Sequence, residues 1–229
     1  MLRYAVLVAA LISGSVAPAL AQQQTLNITL GGFQVRGEDA RIPDDVIATD
    51  RSFLSFDVKD FRGPTVGGEW LFPIGNFIEG GAGVSFYRRT VPSFYTDFQA
   101  NDGSEIEQEL RLRVIPTAFT FRLLPLGQSS PVQPYIGAGI GIFSWRYSET
   151  GDFIDFGTPD RQIIRGSYVA SGNEAGPIVL GGLRFAGDTA SVGGEVRYQR
   201  AEGVVGDQFA GTKIDLGGWT YQFTLGVRF

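Results

Sequence analysis

From Gly218 to Phe229 the chain alternates strictly: Trp219, Tyr221, Phe223, Leu225, Val227 and Phe229 share one parity, and Thr220, Gln222, Thr224, Gly226 and Arg228 share the other. A period of two with one apolar face is the pattern of a β-strand. Aromatic residues at both ends of that face fit an outward apolar band with aromatic girdles at its two interfaces. The same alternation recurs upstream. Val66, Gly68, Trp70 and Phe72 alternate with Thr65, Gly67, Glu69 and Leu71, and a Pro73-Ile74-Gly75-Asn76 turn leads into a strand from Phe77 to about Arg88. Val179 to Phe185, the Gly187-Asp188 turn and the return over Ser191 to Gln199 make a second tight hairpin.

Further strands are expected over Thr25 to about Arg36, over a run ending at Thr117-Arg122, and over Tyr135–Tyr147. The whole reads as all-β: an eight-stranded antiparallel up-and-down transmembrane β-barrel with short periplasmic turns and long extracellular loops. The long connections fall at about 38–63, 89–105, 148–173 and 201–213 and carry many of the acids. Leu54, Phe56 and Val58 share the parity of Val66 and Trp70, which suggests a strand rising above the bilayer, and a similar extension begins near Ile163 to Tyr168. Leu110, Leu112 and Val114 lie on one parity and Phe119, Phe121 and Leu123 on the other, so a β-bulge is expected at Pro116.

The N-terminus changes the picture of where this barrel goes. Arg3, the apolar run Tyr4 to Ile12 and the Ala19-Leu20-Ala21 tripeptide have the form of a cleaved secretory signal over residues 1–21, leaving 22–229 as one barrel domain. That apolar run is shorter than the roughly 20 residues a membrane helix needs. Without the signal, 18 Lys and Arg face 24 Asp and Glu, a balance that argues against nucleic acid as a partner. The chain has no Cys and no His, which removes disulfides, thiol nucleophiles and His-activated serine catalysis. No enzyme activity, cofactor or metal site is expected. Acid pairs such as Asp44/Asp45 and Asp152/Asp155 read as solvated turn formers.

Pro134-Tyr135-Ile136-Gly137-Ala138-Gly139-Ile140-Gly141 resembles the strand start common among the small eight-stranded outer-membrane barrels, the OmpA, OmpX, OmpW-like and opacity-type proteins. The terminal Tyr221, Phe223, Leu225, Val227 and Phe229 resemble the assembly signal read by the outer-membrane insertion machinery. The resemblance implies a monomer in the lipid of a bacterial outer membrane, exported through the secretory pathway, with an extracellular partner left open. Because the sequence stops at the last strand, no C-terminal peptidoglycan-binding domain of the kind OmpA carries is expected.

Inward parity places Glu69, Glu79, Arg122, Arg184, Glu195, Arg197, Gln222 and Arg228 inside a barrel just wide enough to be filled by side chains. Glu79 and Arg122 sit near neighbouring turns and suit an ion pair. A side-chain-filled interior implies a structural or surface-interaction role, with loop aromatics (Phe53, Phe94, Tyr95, Phe98, Phe153, Phe156, Phe209) meeting a partner. The alternatives are a narrow porin-like or OmpW-like channel and a soluble lipocalin-like barrel whose Trp219–Phe229 face would turn inward.

Overall fold

The computed structural model describes residues 23–157 and 160–229, so the expected signal over 1–21 lies outside the described residues. Seven strands run in chain order: β1 (Thr25–Val35), β2 (Gly63–Pro73), β3 (Ile78–Gln99), β4 (Glu105–Leu123), β5 (Val132–Ile154), β6 (Ile163–Ala186) and β7 (Ala190–Gln199). A small ribbon of β8 (Glu202–Val204) and β9 (Lys213–Asp215) follows, then β10 (Gly218–Arg228). The first seven and β10 form one closed antiparallel barrel, sealed where β1 pairs with β10 from Thr25↔Arg228 to Val35↔Gly218. The soft spots of sequence serve this closure. A Cβ on inward Gly139 would lie 2.0 Å from the Phe119 carbonyl oxygen, and Gly75 turns the β2–β3 hairpin at φ +90°, a conformation other residues rarely adopt.

β1, β2, β7 and β10 have 10 or 11 residues, whereas β3 to β6 have 19 to 24. Four strands therefore continue as a tall wall above a short ring. Residues 89–99 and 148–154, read from sequence as loop, belong to this wall: β5 and β6 stay paired from Val132↔Phe185 to Ile154↔Ile163. The β6 extension does begin at Ile163. Residues 54–58 do not extend β2. They lie between the short helix α1 (Val46–Asp50) and a 3₁₀ turn at Val58–Phe61, because Leu54, Val58 and Phe61 pack inward rather than along a strand face.

The reason for the altered sequence pattern is visible on β4. Even-numbered residues face inward along its whole length, yet Thr120 and Arg122 are the inward groups near the turn end, and Leu110, Leu112 and Val114 are the inward groups higher up. The outer face reverses as well, with Phe119, Phe121 and Leu123 exposed below and Glu107, Glu109 and Arg113 exposed above. The lower barrel is polar inside and apolar outside. The upper wall is apolar inside and polar outside, as in a soluble protein.

No bulge therefore forms at Pro116. The register is the same on either side of it, Val84↔Thr117 and Tyr87↔Val114, with two residues unpaired between because proline has no N–H to donate. The register shift in this pair lies instead between Phe94 and Gln99. Apolar residues change parity at Pro116 because their surroundings change, and the strand itself does not slip.

The outward belt spans Ile78–Phe86 on β3 and Trp219–Phe229 around the seam. Nine tilted residues rise roughly 20–25 Å, the height of the lipid-facing band of a membrane barrel. Phe77, Phe185 and Phe229 rim its lower edge, while Trp219 and Tyr198 meet at 4.8 Å on the upper edge. The Trp219–Phe229 face points out, opposite to a lipocalin-like arrangement.

Above the belt the two long connections, 36–62 and 200–217, fold over the low side of the ring and complete the tall wall. Val46, Ile47, Leu54 and Phe61 from one, and Val205, Phe209, Ile214 and Leu216 from the other, join Leu110, Leu112, Phe143 and Trp145 in one buried cluster. We call this part the head. Burial changes the status of several loop residues: Tyr95, Phe153 and Phe209 are buried and Phe53, Phe94 and Phe98 half-buried, while Phe156 stays exposed. They are largely core.

Candidate functional site

Inside the lower barrel, Arg122 reaches up from β4 to the axis and is fully buried. Its Nη2 lies 2.5 Å from Glu69 and 2.8 Å from Glu195, and its Nη1 lies 3.7 Å from Glu79. Arg184 holds Glu79 in a two-pronged pair at 2.9 and 3.2 Å, and Arg197 bridges Glu195 at 2.8 Å and Glu69 at 3.3 Å. Gln222 donates to Glu195 at 2.9 Å. Three arginines thus face three glutamates in one connected cluster, the balance that buried charges require.

Arg228 does not join them. It donates to the Gly187 carbonyl at the turn rim, because its position next to the strand end places it beyond the ring of glutamates. Two members were missed from sequence: Tyr135, whose hydroxyl donates to Glu195 at 3.1 Å and whose ring lies 4.9 Å under Arg122, and Gln133, which accepts from Arg184 at 2.8 Å. Both sit on the inward parity of β5, the signal that would have found them. The void remaining beside Glu69, Arg197 and Gln222 is about 10 Å³, at or below the room of a single water.

A second polar group lies in the head. Asp45 and Asp50, expected as part of a solvated acidic loop, are buried. Asp45 caps α1 by accepting from Ala48 N at 3.0 Å, pairs with Arg41, and accepts from Asp215 N at 2.7 Å. Asp215 in turn pairs with Arg36 at 3.1 Å. This cluster fastens residues 36–50 to β9, so a helix only five residues long is held by tertiary bonds rather than by its own propensity.

Asp50, at the end of α1, accepts from Tyr147 at 2.8 Å and faces Glu149 of β5, seven residues above the last belt residue Ile142. Burial holds the Asp50 carboxyl well above the usual range, and the neighbouring Glu149 charge adds to it. Burial likewise pushes Glu149 up to about 7. Protonation is thus easier in the folded head than in the unfolded chain, so this contribution to stability is present in acid and lost as pH rises through about 7. Hydrogen exchange over residues 36–62, corrected for the chemical rate, is expected to be faster at pH 8 than at pH 6. Glu149→Gln removes that difference; an unchanged difference in the variant assigns it elsewhere.

These two acids flank a cavity of about 480 Å³ lined by Phe53, Tyr95, Phe153, Phe156 and Tyr168. No protein-family model and no curated protein sequence matches the chain. Among solved structures it is similar to neisserial surface protein A (TM-score 0.44, 14% identity, 90% of this chain and 95% of that one). It is also similar to outer membrane protein W of E. coli (0.44, 15%, 91% and 98%) and to the attachment invasion locus protein Ail of Yersinia pestis (0.40, 13%, 91% and 99%).

Proposed function

We propose that this is an integral barrel of a bacterial outer membrane, exported with residues 1–21 as a cleaved signal, whose domain over 22–229 anchors a folded extracellular head. The carrying observation is the inversion at Pro116. An outer face of Phe119, Phe121 and Leu123 below and Glu107, Glu109 and Arg113 above suits a chain that leaves hydrocarbon at that level. Arg88, Arg113 and Arg146 support the same level. They are cross-strand partners on β3, β4 and β5, exposed directly above the belt, and among the described residues none has an acid within ion-pair distance. Like charges in register destabilise a sheet, and lipid headgroup phosphates at that height would offset the repulsion.

In this reading Tyr221, Phe223, Leu225, Val227 and Phe229, all exposed on the outer face of β10, serve as the signal for the barrel assembly machinery. The barrel works as a monomer without catalysis, and its head meets the partner. The filled interior favours anchoring over transport: the ion cluster closes the lower ring and the apolar cluster closes the head. In a planar bilayer the refolded barrel, verified by heat-modifiable migration, is expected to pass no unitary current. A reproducible charge-selective conductance altered by Arg122→Gln would replace this reading with that of a narrow channel.

A further inference from the structure

The cavity in the head has a graded lining. Phe156, Ile164 and Gln208 stand exposed at its mouth, Phe53, Phe153 and Tyr168 form its walls, and Asp50 and Glu149 lie at its floor. Phe153 and Tyr168 meet edge to face at 4.8 Å, which fixes two of those walls. The floor is electrostatically incomplete. Asp50 is 0% and Glu149 6% exposed, and for Asp50 Oδ1 and Glu149 Oε1 no backbone N–H or cation serves as partner among the described residues, leaving only the hydrogen bond the two carboxyls share with each other. The groups facing them do little to offset the deficit: Tyr147 divides its one donor between Asp50 Oδ2, at 2.8 Å, and Glu149, Asp45 adds a further negative charge from the α1 cap, and Tyr95 from β3 carries no charge to neutralise them. Among the described residues no Lys or Arg lines the cavity, and half-buried Asp155 adds a third acid to its lining.

Burial raises both carboxyls, Glu149 to about 7, so the pair gains a negative charge at Glu149 as pH rises through that value. An apolar cleft with a single buried negative charge and several aromatic faces is the complement of a cation carried on an apolar body. A hydrated metal ion suits it poorly, since among the described residues no three acids stand together to ligate one and the walls are rings.

We propose that the head cavity is a binding site for a monovalent organic cation, an ammonium group on an apolar or aromatic body, with the charge at Glu149 and the body between Phe53, Phe153 and Tyr168. The site is independent of whether the barrel conducts. Binding a cation favours the deprotonated pair, so affinity rises with pH through about 7, where Glu149 titrates.

The test is calorimetric titration of the full barrel in lipid nanodiscs with benzyltrimethylammonium, its neutral isostere 2,2-dimethylpropylbenzene and benzylsulfonate. The cation is expected to bind at least tenfold tighter than the isostere, more tightly at pH 8 than at pH 6, and the sulfonate not at all. Glu149→Gln should lose about tenfold with the isostere unaffected. Should that variant fail to show heat-modifiable folding, Phe156→Ala at the exposed mouth gives a second reading, with an expected loss of about threefold for the cation. Equal affinity for cation and isostere, no binding of the cation, or full cation affinity in both variants would overturn the site.

Discussion

Arg122→Met is expected to lower the unfolding free energy by about 3–5 kcal/mol, the cost of leaving buried charges without their partner. Methionine keeps most of the volume, so the loss reports charge rather than a cavity. The size follows from connectivity: among the described residues Arg122 is the one arginine that touches all three glutamates, at 2.5, 2.8 and 3.7 Å. Without it Glu69 keeps Arg197, Glu79 keeps Arg184, and two cations face three anions inside a ring with almost no room for water. The check is urea unfolding in lipid vesicles followed by tryptophan fluorescence. Adding Glu69→Gln to Arg122→Met should restore part of the stability, because it returns the cluster to two cations and two anions. A loss in the double variant equal to the sum of the single losses would show that the cluster is not coupled.

Phe223→Arg is expected to cost about 2–4 kcal/mol in the same assay, as for a cation placed on the lipid face near the middle of a membrane barrel. Phe223 is 74% exposed and lies midway along the outer face of β10 between Trp219 and Phe229. In water such an exposed position would tolerate arginine within about 0.5 kcal/mol. The two outcomes are therefore well separated, and the sign follows from what solvates the face. Arg113→Phe, only a few residues above the belt on β4, should cost little by comparison, since it exchanges an exposed cation that repels its neighbours for a ring.

Much of the fold was legible because lipid and a polar lumen impose opposite demands on alternate residues. The belt strands from Trp219 to Phe229, Val66 to Phe72 and Val179 to Phe185 show that alternation plainly. Above the belt the same alternation persists with its meaning reversed. Val91 and Tyr95, Leu110 and Leu112, and Trp145 and Tyr147 are apolar on the inward parity, so a reading tuned to outward apolar residues takes Val91 and Tyr95 for loop and Leu110 and Leu112 for a strand that has slipped. At Pro116 the reversal imitates a slipped register. The head was illegible for a further reason: its core is assembled from segments far apart in sequence, with Ile47 and Phe209 coming from connections that hold no sustained period and meeting Tyr147 of β5. The polar interior was read more fully, since parity alone collects Glu69, Glu79, Arg122, Arg184, Glu195, Arg197 and Gln222 on inward faces. Parity does not report height, which is why Arg228 was grouped with them. Asp50 and Glu149 were hidden because charged residues in long connections are usually solvated, and only the folded head brings them together beneath aromatic walls.

The inversion at Pro116 is tested most directly by single cysteines along β4, a clean experiment in a chain with no cysteine of its own. Positions 111, 113, 119 and 121 all point outward; 112 and 120 point inward. In the folded protein in vesicles, an environment-sensitive probe at 119 and 121 is expected to be blue-shifted and quenched by brominated lipid. At 111 and 113 it should report water, and cysteines at 112 and 120 should react only on unfolding. Water-like emission at 119 and 121, matching that at 111 and 113, would contradict the lipid-facing belt and with it the membrane reading of this barrel.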